Sequence, residues 1–141
     1  AHAIATWNAV AAFARESAPS ASLWATGKSY GGRMASMAVA EGMLVDGLAY
    51  LGYPLHPPGR PEKPRIEHLP GITVPQLFVE GTNDPFIQPI AQFEEAVASC
   101  QDARVVWVEG AGHTFEVKGH KRPAAEIGAS LAPIVAEFID R

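Results

Sequence analysis

The sequence predicts an α/β fold, a mostly parallel sheet flanked by helices. Three observations predict it. Short apolar runs recur along the chain and stop at glycine or at polar residues. Stretches with apolar residues at helical spacing alternate with those runs, and such alternation makes a parallel sheet with helices on its faces. The chain has 141 residues, 48% of them apolar, enough for one domain with a real core and no second domain.

The elements follow in order. Ile4, Trp7, Ala11 and Ala14 lie at helical spacing, with Val10 and Phe13 beside them, so residues 2–17 read as an amphipathic helix. The stretch 17–20, Ser-Ala-Pro-Ser, ends it. Residues 23–26, Leu-Trp-Ala-Thr, form a short apolar run that stops at Gly27, the mark of a buried strand. Residues 30–41, rich in Ala and Met, read as a helix closed by Gly42. Residues 48–51 form a second strand, and 76–79 a third, with Pro75 at its entrance where no ladder donor is needed. Pro89 opens a helix with Ile90, Phe93, Val97 and Cys100 on one face. Residues 104–108 form the fourth strand. Pro123 opens a last helix carrying Ile127, Leu131, Ile134 and Phe138, which Pro133 is expected to kink.

Composition excludes several function classes. A net charge of −4 gives no general attraction to nucleic acid. There is no transmembrane run, and residues 1–20 lack the basic start and continuous apolar stretch of a signal peptide. The single cysteine, Cys100, cannot form an internal disulfide and reads as a core residue. The expectation is a cytoplasmic protein without nucleic-acid or membrane partners.

The stretch 25–32, Ala-Thr-Gly-Lys-Ser-Tyr-Gly-Gly, carries the chemistry. Gly-Lys-Ser is the tail of a phosphate-binding P-loop, but the loop's first glycine would fall at Ser22, and residues 22–26 read as strand rather than as a glycine-rich cradle. The same residues complete G-x-S-x-G, with a strand before and a helix after. On that turn Ser29 projects above the sheet at a helix N-terminus, and the backbone N–H of Tyr30 points at a developing oxyanion. Gly27 and Gly31 are expected to relieve the crossing of strand and helix. A serine nucleophile needs a base, and the base an orienting carboxylate. Asp84 follows the third strand and His113 the fourth, the latter between flanking glycines. Ligands of such sheets sit beyond the carboxyl ends of the strands, where all three residues fall. Asp46 precedes its strand, at the wrong end; Glu109 is the rival acid.

The motifs in 27–36 (GKSYGGRMAS), 53–86 and 110–115 (GAGHTF) resemble those of α/β-hydrolases, of the dienelactone hydrolase-like kind. The nearest likeness is the group of hydrolase-like proteins that includes testis-expressed protein thirty and a subunit of the NSL chromatin complex. The resemblance implies Ser29 as nucleophile, Asp84 as orienting acid and His113 as base. It implies a cofactor-free, metal-free enzyme cleaving a small carboxylic ester, thioester or lactone, or else a catalytically silent scaffold of the same fold. Residues 1–141 would form the C-terminal part of a single such domain, lacking its first strands and its second oxyanion donor. The expected partners are a small ester-type substrate and a further N-terminal segment, or another chain, pairing beside Leu23–Thr26.

Residues 53–73 form a Pro-rich loop or lid at the active-site end. His56, Arg60, Lys63, Arg65 and His68 on it would either attract an anionic substrate or remain solvated on a stiff surface wrap. Neither His56 nor His68 has a partner at metal-ligand spacing.

Overall fold

Strand and helix form where the apolar pattern has the matching period. In the computed structural model, which describes residues 2–141, the order is α1 (His2–Ser17), β1 (Trp24–Lys28), α2 (Tyr30–Ala40), β2 (Gly47–Leu51), β3 (Gln76–Gly81), α3 (Ile90–Ala98), β4 (Ala103–Val108) and α4 (Ala124–Ile139). Short 3-10 turns at Leu69–Gly71 and Pro85–Ile87 complete it. The four strands are parallel and lie in chain order, β1-β2-β3-β4. The mostly parallel sheet flanked by helices is therefore the fold of this chain. β1 and β3 each run two residues further than the apolar pattern marks, because backbone pairing continues where side-chain polarity changes. α4 passes through Pro133 without interruption.

Alternation along the strands sorts side chains to two layers. Leu48, Tyr50 and Phe78 enter the layer shared with Ala35 and Ala38 of α2 and Phe93 and Ala96 of α3, against which Ile4 and Trp7 of α1 also pack. Ala49, Leu77 and Val79 enter the other, with Leu131 and Phe138 of α4. An aromatic chain braces the first layer. Tyr50 and Phe78 lie 4.7 Å apart by ring centroids, and Phe78 meets Phe93 edge-on at 5.7 Å. Each buried ring of this kind contributes roughly 1.5–3 kcal/mol by removal from water. Tyr50 is satisfied within the core by donating its hydroxyl to Gln76 Oε1 at 2.6 Å.

Cys100 lies two residues beyond α3, half-buried against the first layer. His56 is a correction to the sequence reading: it is fully buried, not a solvated or anion-facing group. Its ring nitrogens lie 2.7 Å from the Pro57 carbonyl and 2.6 Å from that of Gln88, so the imidazole pins the start of the 53–73 loop to the segment after β3.

Candidate active site

β1 ends at Lys28, α2 begins at Tyr30, and Ser29 alone makes the turn. Its backbone stands at φ 50 and ψ −125, a region that a residue with a side chain rarely adopts. Such strain persists only when the surroundings over-determine it. Here Ser29 N–H donates to the Leu51 carbonyl at 2.9 Å, and Arg33 N–H donates to the Ser29 carbonyl at 3.2 Å. A Cβ at Gly27 would collide with the backbone of Gly31 and Gly32, and one at Gly32 would lie 2.7 Å from the Gly27 carbonyl. Around Gly31 there is open space. The glycine pair that lets strand and helix cross is therefore Gly27 and Gly32, not Gly27 and Gly31.

The loops after β3 and β4 are laced together. Asn83 N–H donates to the Ala111 carbonyl at 2.9 Å, and Gly110 N–H donates to Thr82 Oγ1 at 2.7 Å. These bonds fix Asp84 relative to His113. Asp84 is fully buried. Its Oδ1 accepts the Phe86 N–H at 2.8 Å, which closes the 3-10 turn opened by Pro85. Its Oδ2 lies 2.8 Å from His113 Nδ1. A carboxylate only accepts, so Nδ1 carries the proton. The other nitrogen, Nε2, lies 2.7 Å from Ser29 Oγ and is left to accept from the hydroxyl. Phe86 stacks on the imidazole at a centroid distance of 4.0 Å and holds its plane.

The structure thus brings Ser29, Asp84 and His113 into one hydrogen-bonded chain. Tyr30 is the first residue of α2, so its N–H is among those that a helix leaves without an internal partner. Glu109 is exposed at the end of β4, and Asp46 accepts the Leu23 N–H at 2.6 Å at the opposite end of the sheet. A cleft of about 400 Å³ lies beside the chain, lined by Lys28, Leu51, Thr114, Phe115, Ile127 and Leu131 among others. It touches the neighbours of Ser29 and His113 rather than the two residues themselves. Hydrogen-bond geometry therefore defines the candidate site, and the cleft marks adjacent space.

Two residues of this region escape sequence reasoning. Phe86 could have been sought from the Asp-Pro-Phe run, since Pro85 turns the chain back on the carboxylate. Glu80 carries no such signal. It is fully buried on β3, and its Oε1 accepts the Tyr53 N–H at 2.8 Å while Oε2 has no partner. Burial holds its carboxyl well above the usual range against the Tyr53 N–H, and the nearby Asp84 carboxylate adds to the rise. Among the described residues, no cluster of three or more His, Cys, Asp or Glu side chains could hold a metal ion. No described helix is long and apolar enough to cross a membrane.

Comparison with known proteins agrees with this architecture. A family model described as alpha/beta hydrolase domain matches residues 2–140. An alpha-beta serine hydrolase homologue from Coxiella burnetii superposes with a TM-score of 0.60 at 21% identity, over 74% of this chain and 47% of that one. A serine hydrolase without a lid from Xanthomonas campestris gives 0.62 at 20% identity, over 92% and 53%. Est1E from Butyrivibrio proteoclasticus, solved with ferulic acid bound, gives 0.70 at 17% identity, over 98% and 68%. The chain spans 47% and 59% of the lengths of the first two solved structures that it matches, about half.

Proposed function

We propose, on the premise that this chain belongs to the alpha/beta hydrolase domain family, that it is the catalytic part of a serine hydrolase. Its substrate is a small carboxylic ester, thioester or lactone, as in the dienelactone hydrolase-like branch. The observation that carries the reading is the continuous chain from Ser29 Oγ through His113 to Asp84, with Ser29 held at positive φ.

The steps follow from that geometry. His113 Nε2 takes the hydroxyl proton as Ser29 Oγ attacks the acyl carbon. Asp84 holds the proton on Nδ1 and stabilises the imidazolium that forms. The Tyr30 N–H at the start of α2 donates to the oxyanion, where the helix N-terminus favours negative charge. Collapse of the tetrahedral intermediate expels the alcohol or thiol, which takes its proton from His113. Water, deprotonated by His113, then attacks the acyl-enzyme and releases the acid and Ser29.

The test is labelling with a fluorophosphonate, which reacts only with an activated serine. The chain should be labelled at Ser29, and Ser29→Ala should lose both labelling and ester hydrolysis while keeping its circular dichroism. An unlabelled, folded wild-type chain would overturn the catalytic reading for this chain and favour a silent scaffold of the same fold.

A further inference from the structure

A cationic cleft lies one helical turn from the nucleophile, and the chemistry above does not use it. It encloses about 320 Å³ and is lined by Arg33, Met37, Arg65, Ile66, Glu67 and His68, with Pro64 at its edge. Arg33 of α2 follows Ser29, the residue that caps the helix, by four positions, roughly 6 Å of rise along the helix axis. Among the described residues, neither Arg33 nor Arg65 has a carboxylate within 4.0 Å, whereas Arg60 and Arg141 do. The one acid in the lining, Glu67, is exposed and pairs with neither.

Arg33 is poorly satisfied. Its Nη1 has only the Met37 sulfur at 3.6 Å, and its guanidinium lies 5.5 Å over the Tyr30 ring. Its Nε is buried without any acceptor. Leaving a buried donor unpaired is unfavourable, and an anion in the cleft would supply the missing acceptor. Burial, and after it the Arg65 charge, pushes the Arg33 guanidinium below its ordinary range. Burial, and after it Arg33, does the same to His68.

His68 is also oriented. Its Nε2 lies 2.7 Å from Ser36 Oγ, but the single Ser36 hydroxyl proton is donated to the Arg33 carbonyl at 2.6 Å. Nε2 must therefore donate to Ser36, which leaves Nδ1 as the nitrogen that can take up a proton. Arg65 is placed by its backbone. Its N–H donates to the Leu55 carbonyl at 2.8 Å, and its carbonyl accepts the Tyr53 hydroxyl at 2.8 Å. The Pro-rich loop thus carries Arg65 into the same cleft lining as Arg33 of α2.

We propose that this cleft binds an anionic group of the substrate, a carboxylate or phosphate borne on the ester or thioester, between Arg33 and Arg65 with His68 beside them. The anion would be held within reach of Ser29, and the site would prefer charged over neutral substrates. Paired N–H donors of arginine suit both oxyanions. The inference rests on the serine hydrolase reading for its substrate class, and on the cleft alone for anion binding.

The experiment compares kcat/KM for 4-nitrophenyl hydrogen glutarate with that for neutral 4-nitrophenyl butyrate. A second pair, butyryl-coenzyme A against the uncharged N-acetylcysteamine thioester, distinguishes phosphate from carboxylate. The wild type should favour the charged member of one pair by about tenfold or more, and the preference should shrink with added salt. Arg33→Gln should reduce it, and Arg65→Glu, a surface change that leaves the core untouched, should abolish or invert it. Equal preference in the wild type and Arg65→Glu would overturn the proposal. If no ester is hydrolysed, the catalytic reading fails by itself, and calorimetric titration with glutarate and with inorganic phosphate still decides the cleft. Binding by the wild type that Arg65→Glu loses supports the anion site; no binding to either overturns it.

Discussion

β3 and β1 belong to one sheet but do opposite work. All six residues of β3 are buried, including Gln76 and Glu80, and the strand pairs on both sides. β1 lies at the edge of the described sheet and exposes Thr26 and Lys28. Yet Ser29, the proposed nucleophile, hangs from β1, and Asp84, the proposed acid, from β3. The difference teaches where each obtains its precision. Asp84 inherits its position from a buried strand and from the lacing of two loops. Ser29 cannot rely on a deeply packed strand. It obtains its geometry locally, from the Gly27–Gly32 crossing, α2 and a single bond to Leu51.

The largest effect expected from breaking this comparison lies on the buried side. Asp84→Asn keeps the shape but presents an amide to His113 Nδ1 and disturbs the tautomer that Ser29 requires. It should lower kcat on the order of 10³–10⁴-fold, the scale seen when a triad acid is lost. Glu109→Gln, at an exposed position, should cost little. Steady-state rates on one ester decide, and the reverse ranking would reassign the acid.

On the local side the test is a pair of single methyl groups. Gly27→Ala forces a Cβ into the backbone of α2 and should destabilise by about 1–3 kcal/mol, as overpacking does. Gly31→Ala meets nothing within 4 Å and replaces a helical glycine, so it should be neutral or stabilise by up to about 1 kcal/mol. Urea midpoints compare the two. Equal losses would mean that α2 as a whole, not the crossing, holds the turn.

That contrast also shows what the sequence could and could not disclose. Ser29, Asp84 and His113 were legible because alternation places all three after strands, at one end of a parallel sheet. The motif spacing named Gly31, while the close contact falls on Gly32, because only the crossing angle decides which glycine meets the strand. Glu80 reads as an ordinary strand-end acid, and its burial depends on Tyr53 from a distant loop. His56 reads as a loop cation but is taken inside by two carbonyls. For Glu80 and His56 the missing information is a contact with backbone distant in the chain, and for the glycines it is a crossing angle; local pattern encodes neither.

Glu80 provides a smaller test, confined to the buried side. Its folded-state carboxyl is raised above the ordinary value near 4.5, so between that value and the raised one the native state keeps a proton that the unfolded chain has lost. Stability from this group is full below about pH 4.5 and falls as pH rises through that window. Glu80→Gln keeps an acceptor for the Tyr53 N–H and cannot ionise. The wild type should therefore lose stability relative to the variant as pH rises from 4 to 8. Parallel urea midpoints across that range would show that Glu80 is not the source.

The smallest effect concerns the open side and requires no mutation. Leu23 accepts from Asp46 N–H, and Ser29 donates to Leu51, so odd-numbered residues of this segment face β2. By the alternation of a parallel strand, the N–H groups of Thr26 and Lys28 face away from it. Lys28 also places a charge on that edge, a device that discourages unwanted pairing. Amide exchange in the 141-residue chain should therefore be faster at Thr26 and Lys28 than at Gly27 and Ser29, by about tenfold or more, with β3 slowest of all. Equal protection of all four amides at low protein concentration would mean that this edge is already covered within the chain. Protection of Thr26 and Lys28 that grows with concentration would mean that a second copy pairs there. Either result would sharpen the comparison, since the strand that carries Ser29 would then gain from a neighbour the support that β3 has on both sides.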